Sequence, residues 1–127
     1  MNALSSITLP VDVAIDHDAS DAEVAAFIDS RAEATAFHSV PWCRAIERAT
    51  RHKWHKLVAR DTAGKMIGYL PLHHIRSWLF GDALVSTGFA VEGGILADDP
   101  AVVTALADAA IALAGRLKVD SIELRGG

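Results

Sequence analysis

Two extended, largely apolar runs, Trp54 to Arg60 and Met66 to Ile75, flank the tetrapeptide Asp61-Thr62-Ala63-Gly64. An aspartate that can bond to nearby amides and a glycine free to take positive φ are what a tight reversal requires. The segment therefore predicts a β-hairpin, and the rest of the chain must be arranged around it. Pro71 falls inside the second run and cannot donate to a ladder. That strand is accordingly expected at a sheet edge, or bulged near its middle.

Ahead of the hairpin, Val11, Val13 and Ile15 alternate with Asp12, Ala14 and Asp16, the period of a half-buried strand. Ser20 followed by Glu23 has the form of a capping box, and Val24, Phe27 and Ile28 supply the inward face of a first helix. A second helix is expected from Ser39 to Pro41 onward, since proline is tolerated in the first turn. Trp42, Ile46 and Ala49 would face inward, and Arg44, Glu47, Arg48 and Arg51 would form a solvated face with a Glu47–Arg51 pair. Beyond the hairpin, Ala83 to Ser86 predicts a strand. Asp99-Pro100 opens a helix with a core stripe of Val103, Leu106, Ala107, Ala110, Leu113, Ala114 and Leu117. Val119 to Leu124 predicts a last strand, and residues 1–10 are expected to form a flexible tail.

With 127 residues and 51% hydrophobic content, the chain can bury the core of one domain. Cys43 is its one cysteine, which excludes an internal disulfide and a cysteine-rich zinc site. Continuous apolar stretches such as Ala109 to Ala114 fall short of the ~20 residues that cross a bilayer. The first residues lack a basic segment ahead of an apolar run, and a cytoplasmic location is expected. A net charge of −4 argues against a broad nucleic-acid footprint. A local basic stretch from Arg44 to Arg60, including His52, Lys53, His55 and Lys56, offers a contact for a phosphate-bearing partner.

The order strand, two helices, hairpin, strand, helix, strand resembles the first part of the acetyltransferase fold of the GNAT superfamily, an α/β mixed sheet flanked by helices. Particular residues narrow the resemblance: His38-Ser39-Val40-Pro41-Trp42, Gly68-Tyr69-Leu70-Pro71-Leu72, Leu79 to Ser86, Glu92 to Pro100, and Ile122-Glu123-Leu124-Arg125. Together these are similar to the N-terminal domain of FemAB-type proteins, especially the bacterial branch associated with exosortase and exopolysaccharide systems. The resemblance implies that residues 1–127 form one partial GNAT-like domain, ending after about the fifth strand, with a C-terminal GNAT-like domain as its partner. It further implies an acyltransferase or aminoacyltransferase acting on an amine acceptor of a cell-envelope or exopolysaccharide pathway. Acetyl-CoA or aminoacyl-tRNA would be the donor. The alternative is a non-catalytic recognition or interaction module, and a homodimer through an exposed sheet edge is a further expectation. Coenzyme-A-dependent members carry an Arg/Gln-x-x-Gly-x-Gly/Ala loop before a helix; here Glu92 to Asp99 has no matching basic residue. Two aspartates at that helix start oppose bound phosphate.

Within that frame, Gly93 and Gly94 are candidate substrate- or cofactor-binding positions, since paired glycines allow close backbone approach. Glu92 is a candidate to bind an amine or take its proton; a plain turn with Glu92 exposed is the competing reading. His73 and His74 are adjacent on a strand, so they point to opposite faces and cannot share a metal. Either suits a general base near neutral pH; otherwise one is hydrogen-bonded at the sheet and the other solvated. His52 and His55 are expected in a solvated connector. Cys43 is expected as a small buried residue, Trp42, Trp54 and Trp78 as packing residues, and Ser86 and Thr87 lack the surroundings of a catalytic nucleophile.

Overall fold

The structure is a computed structural model and describes residues 12–76, 81–86 and 94–124. In chain order its elements are β1 (Ala14–Asp16), α1 (Asp21–Asp29), a 3₁₀ turn (Ala36–His38), α2 (Val40–Thr50), β2 (Lys53–Arg60), β3 (Met66–Ile75), β4 (Ala83–Ser86), β5 (Leu96–Ala97), α3 (Pro100–Leu117) and β6 (Ser121–Glu123). Residues 1–10, Trp78, Thr87, Glu92, Gly93 and Arg125 lie outside the described residues.

The hairpin forms as expected. Asp61 Oδ1 accepts from the amides of Ala63 and Lys65, both at 2.9 Å, and Gly64 takes φ 85°. The strands run β1-β2-β3-β4-β6, antiparallel except for the parallel pair β4 and β6, which α3 connects. β3 is central, so the expected edge position of Pro71 is wrong, and the bulge falls at Ala59/Arg60 and not beside Pro71. Pro71 falls between two pairings on that side: β4 pairs with Leu72–Ile75 and β5 with Gly68–Tyr69, and among the described residues no strand pairs with Leu70 and Pro71 there.

Helices cover both faces of the sheet. α3 packs on Leu57, Ala59, Leu70, Leu72 and Leu84, burying Val102, Leu106, Ala110, Leu113 and Ala114. Its stripe thus begins at Val102, while Val103 is 37% exposed. Gly68 allows this close seating, because a Cβ there would stand 2.7 Å from Val102 Cγ1 and 3.0 Å from Leu106 Cδ1. By length and composition α3 is apolar enough to cross a membrane, with 18 residues and mean hydropathy 1.5. This corrects the expectation drawn from the shorter continuous runs; in this fold its inward stripe serves as a core face. The other sheet face carries Trp54, Val58 and Tyr69 under α1 and α2, joined by Val24, Ile28, Cys43 and Leu96.

Four local expectations change. Ser20 caps α1 through the Glu23 amide, but the Glu23 carboxylate turns to Arg60 in a two-pronged pair, 2.6 Å at each oxygen. A charge-assisted fork outcompetes a single neutral amide. In α2 the buried residue is Cys43; Ala49 is exposed, and Glu47 turns inward to accept from the Trp54 amide at 2.9 Å. Arg51 caps α2 in the left-handed region at φ 61°, so its link to Glu47 is a backbone bond and not the expected side-chain pair. The predicted last strand from Val119 shortens to three residues, with β4 as its neighbour.

Candidate functional site

Beside Pro71, β4 and β5 meet β3 in different registers. Ser86 lies opposite Leu72, so an unbroken ladder would bring residue 89 opposite Tyr69; Leu96 stands there instead, seven positions further on. β4 and β5 therefore pair with the same side of β3 in registers that one continuous strand could not give. Glu92 and Gly93 lie outside the described residues, and Gly94 is the first described residue after them. The Gly94 carbonyl accepts a hydrogen bond from His38 Nε2 at 3.1 Å. His38 can donate there because its Nδ1 accepts from the Thr35 amide at 3.0 Å, which fixes the proton on Nε2. At 3% exposure the imidazole sits in a site that favours its neutral form, and burial holds its pKa below the ordinary histidine value.

Immediately after β5 the chain reaches the N-terminus of α3, where unpaired amides gather positive potential. That position is already occupied. Asp99 caps the helix by accepting from the Ala101 amide at 2.8 Å. Asp98 holds Arg31 in a two-pronged pair at 2.9 and 2.5 Å, and Arg31 also binds Glu33 at 2.6 Å. The Arg31 hydrogen bonds hold the Asp98 carboxyl below its usual range. The one guanidinium near this helix start is thus engaged by two carboxylates.

Beneath α2 lies a buried polar interior. His73 is fully buried, with Nε2 3.3 Å from the Cys43 carbonyl, and burial lowers its pKa. His74 points to the opposite face, as the strand period requires, but it too is buried and lies 3.2 Å from Asp82 Oδ2. The expectation that one of the two is solvated is therefore corrected: β3 is central and covered on both faces. Among the described residues no group of three or more potential ligands could hold a metal ion. Cys43 is fully buried, and burial pushes its thiol up to about 12, which leaves it unreactive as a nucleophile at neutral pH. The Tyr69 hydroxyl is also buried and without a hydrogen-bond partner of good geometry.

Three cations of the basic stretch, Arg44, Lys56 and Arg60, are paired with carboxylates from β1 and α1. Asp21 binds both Arg44 and Lys56, at 3.0 and 3.2 Å, and Asp16 and Glu23 hold Arg60. Arg44 also lies 4.7 Å above the Trp54 ring, so this tryptophan joins core packing to a cation–π contact. His52 and His55 are partly buried and not a solvated connector. Sequence reasoning passed over His38 and Arg31 as site residues. His38 had one signal, its place directly before the Ser39 cap, whereas its partner 56 residues away had none.

The fold so assembled is a mixed α/β domain with a mostly antiparallel sheet between helices. Its particular likeness is to the X-ray structure of a tetramutant of the BH1408 protein from Bacillus halodurans, with a TM-score of 0.59 and 18% identity, over 90% of this chain and 83% of that one. At that identity the likeness concerns fold alone. No family model matches the chain, and no curated protein matches it.

Proposed function

We propose that this chain is a GNAT-like domain of FemAB type, serving an acyl- or aminoacyl-transferase that acts on an amine acceptor of a cell-envelope or exopolysaccharide pathway in the cytoplasm. The observation that carries the reading is the sheet layout. An antiparallel set leads into β4 and β5, and a helix crossover then lays β6 parallel to β4. Among the described residues β5 pairs with β3 and β6 with β4, and a site between two such lanes would align a reacting pair. Backbone amides at such strand ends suit the stabilisation of an oxyanion. Among the described residues β6 is the last strand of the sheet, and a C-terminal GNAT-like domain, or a second copy, would add strands beyond it.

A second reading, a recognition module that does not use acetyl-CoA itself, is favoured by the α3 N-terminus. Its amides are capped by Asp99 and its nearest arginine is held by Asp98 and Glu33, which opposes a pyrophosphate at that place. Aminoacyl-tRNA then becomes the preferred donor for the complete protein. The coding sequence beyond Gly127 tests the assignment. A second GNAT-like repeat is the expected result, and an immediate stop codon would overturn the FemAB reading.

A further inference from the structure

The outer edge of β2 is paired over only part of its length. β1 lies opposite Val58, Ala59 and Arg60, and among the described residues no strand lies opposite Lys53 to Leu57 on that side. The chain leaves that lane at Asp16, whose carboxylate accepts from the Asp18 amide at 2.7 Å and turns the backbone away. The vacated lane is a cleft of about 450 Å³, in the size range of small-molecule sites. Its walls include Asp18, Arg44, Glu47, Lys53, His55 and Lys56.

Most of these charges are engaged. Arg44 is held by Asp21 and Glu47, and Lys56 by Asp21 and the Ala19 carbonyl. Glu47 also receives the Trp54 amide. That bond shows that Trp54 presents its amide to the outer edge, and strand alternation sends the Lys56 amide and carbonyl the same way. Two opposite charges are left over. Among the described residues neither the Asp18 carboxylate nor the Lys53 ammonium forms an ion pair, although both line the cleft. His55 Nε2 is buried and has no hydrogen-bond partner. Burial and the neighbouring cation Lys53 push this imidazole down to about 4, so it is neutral at pH 7.

A cleft with one free cation, one free anion and an exposed stretch of strand backbone matches a ligand that carries both charges on a short frame. We infer that it binds a small zwitterion, an α-amino acid or short peptide with free termini. The carboxylate meets Lys53 and the Lys56 amide, and the ammonium meets Asp18. This site lies at the opposite side of the sheet from β4 and β6 and does not depend on the transfer reading.

The test is an amide chemical-shift titration of the whole chain with glycylglycine, using acetate, methylammonium and N-acetylglycine amide as controls. The expected result is saturable shifts confined to Asp18 and Lys53 to Lys56, with each control binding at least about tenfold more weakly. Lys53→Gln and Asp18→Asn, both at exposed positions, should each weaken glycylglycine about tenfold and leave distant resonances in place. Absence of saturable shifts at millimolar dipeptide would overturn the proposal. So would a control that binds as tightly as the dipeptide, or variants that bind unchanged.

Discussion

His38 donates from Nε2 to the carbonyl of Gly94, tying the turn before α2 to the start of the segment that carries β5. The same ring accepts the Thr35 amide, so one buried side chain bonds to two backbone groups. His38→Ala would remove both bonds and open a cavity. The expected cost is about 2–4 kcal/mol in urea unfolding. A loss below about 0.5 kcal/mol would show that the tie is not a structural one.

Gly68 permits α3 to sit directly on β3. Gly68→Ala should cost about 1–3 kcal/mol, because the new methyl meets Val102 and Leu106 in a filled core. Val102→Ala alone removes packing, yet in the double variant it makes room for that methyl. The two changes together should therefore cost less than the sum of the single losses in a double-mutant cycle. Strict additivity would contradict the close-approach explanation.

Acid should unfold this protein earlier than carboxylate titration alone would. Burial lowers the pKa of His38, His55 and His73, with His55 down to about 4. The unfolded chain takes up protons on these rings near pH 6.5, while the folded chain resists. The sign follows: stability is complete above about pH 6.5 and declines as pH falls toward the folded values. The Asp16 carboxyl, held low by the Asp18 amide and Arg60, and the Asp21 and Glu23 carboxyls, held low by Arg44, Lys56 and Arg60, add their loss only at lower pH. The thermal midpoint by circular dichroism should therefore fall between pH 7 and pH 5. A flat midpoint over that interval would count against buried neutral histidines.

Tyr69 brings a hydroxyl into the core beside Cys43 without a well-formed bond. Removing it as Tyr69→Phe should change stability by less than about 1 kcal/mol in either direction, since no partner is orphaned. A loss well above that would reveal a bond that this geometry does not show.

Much of the fold could be read from local pattern. β3, β4 and α3 lie where alternation, turn residues and the Asp99-Pro100 start placed them, because each signal is contained within its own segment. β5 was not legible: two residues carry no period, and its existence depends on pairing with Gly68 and Tyr69. The buried side of α2 was misread because Glu47 looks like a surface residue until the Trp54 amide is seen to need an acceptor. His73 and His74 were placed on opposite faces correctly, but their burial follows from β3 having helices on both sides. The tie between His38 and Gly94, like that between Arg31 and Asp98, joins residues whose separation along the chain leaves no local trace.

The reading that this domain does not itself bind acetyl-CoA stands or falls most directly on the start of α3. Calorimetric titration of the whole chain with acetyl-CoA, accompanied by its thermal midpoint, measures whether that helix end accepts a pyrophosphate. The account predicts no saturable heat and an unchanged midpoint at millimolar acetyl-CoA, because Asp99 and the Asp98–Arg31 pair already occupy the site. A saturable isotherm with a rise of several degrees would contradict it.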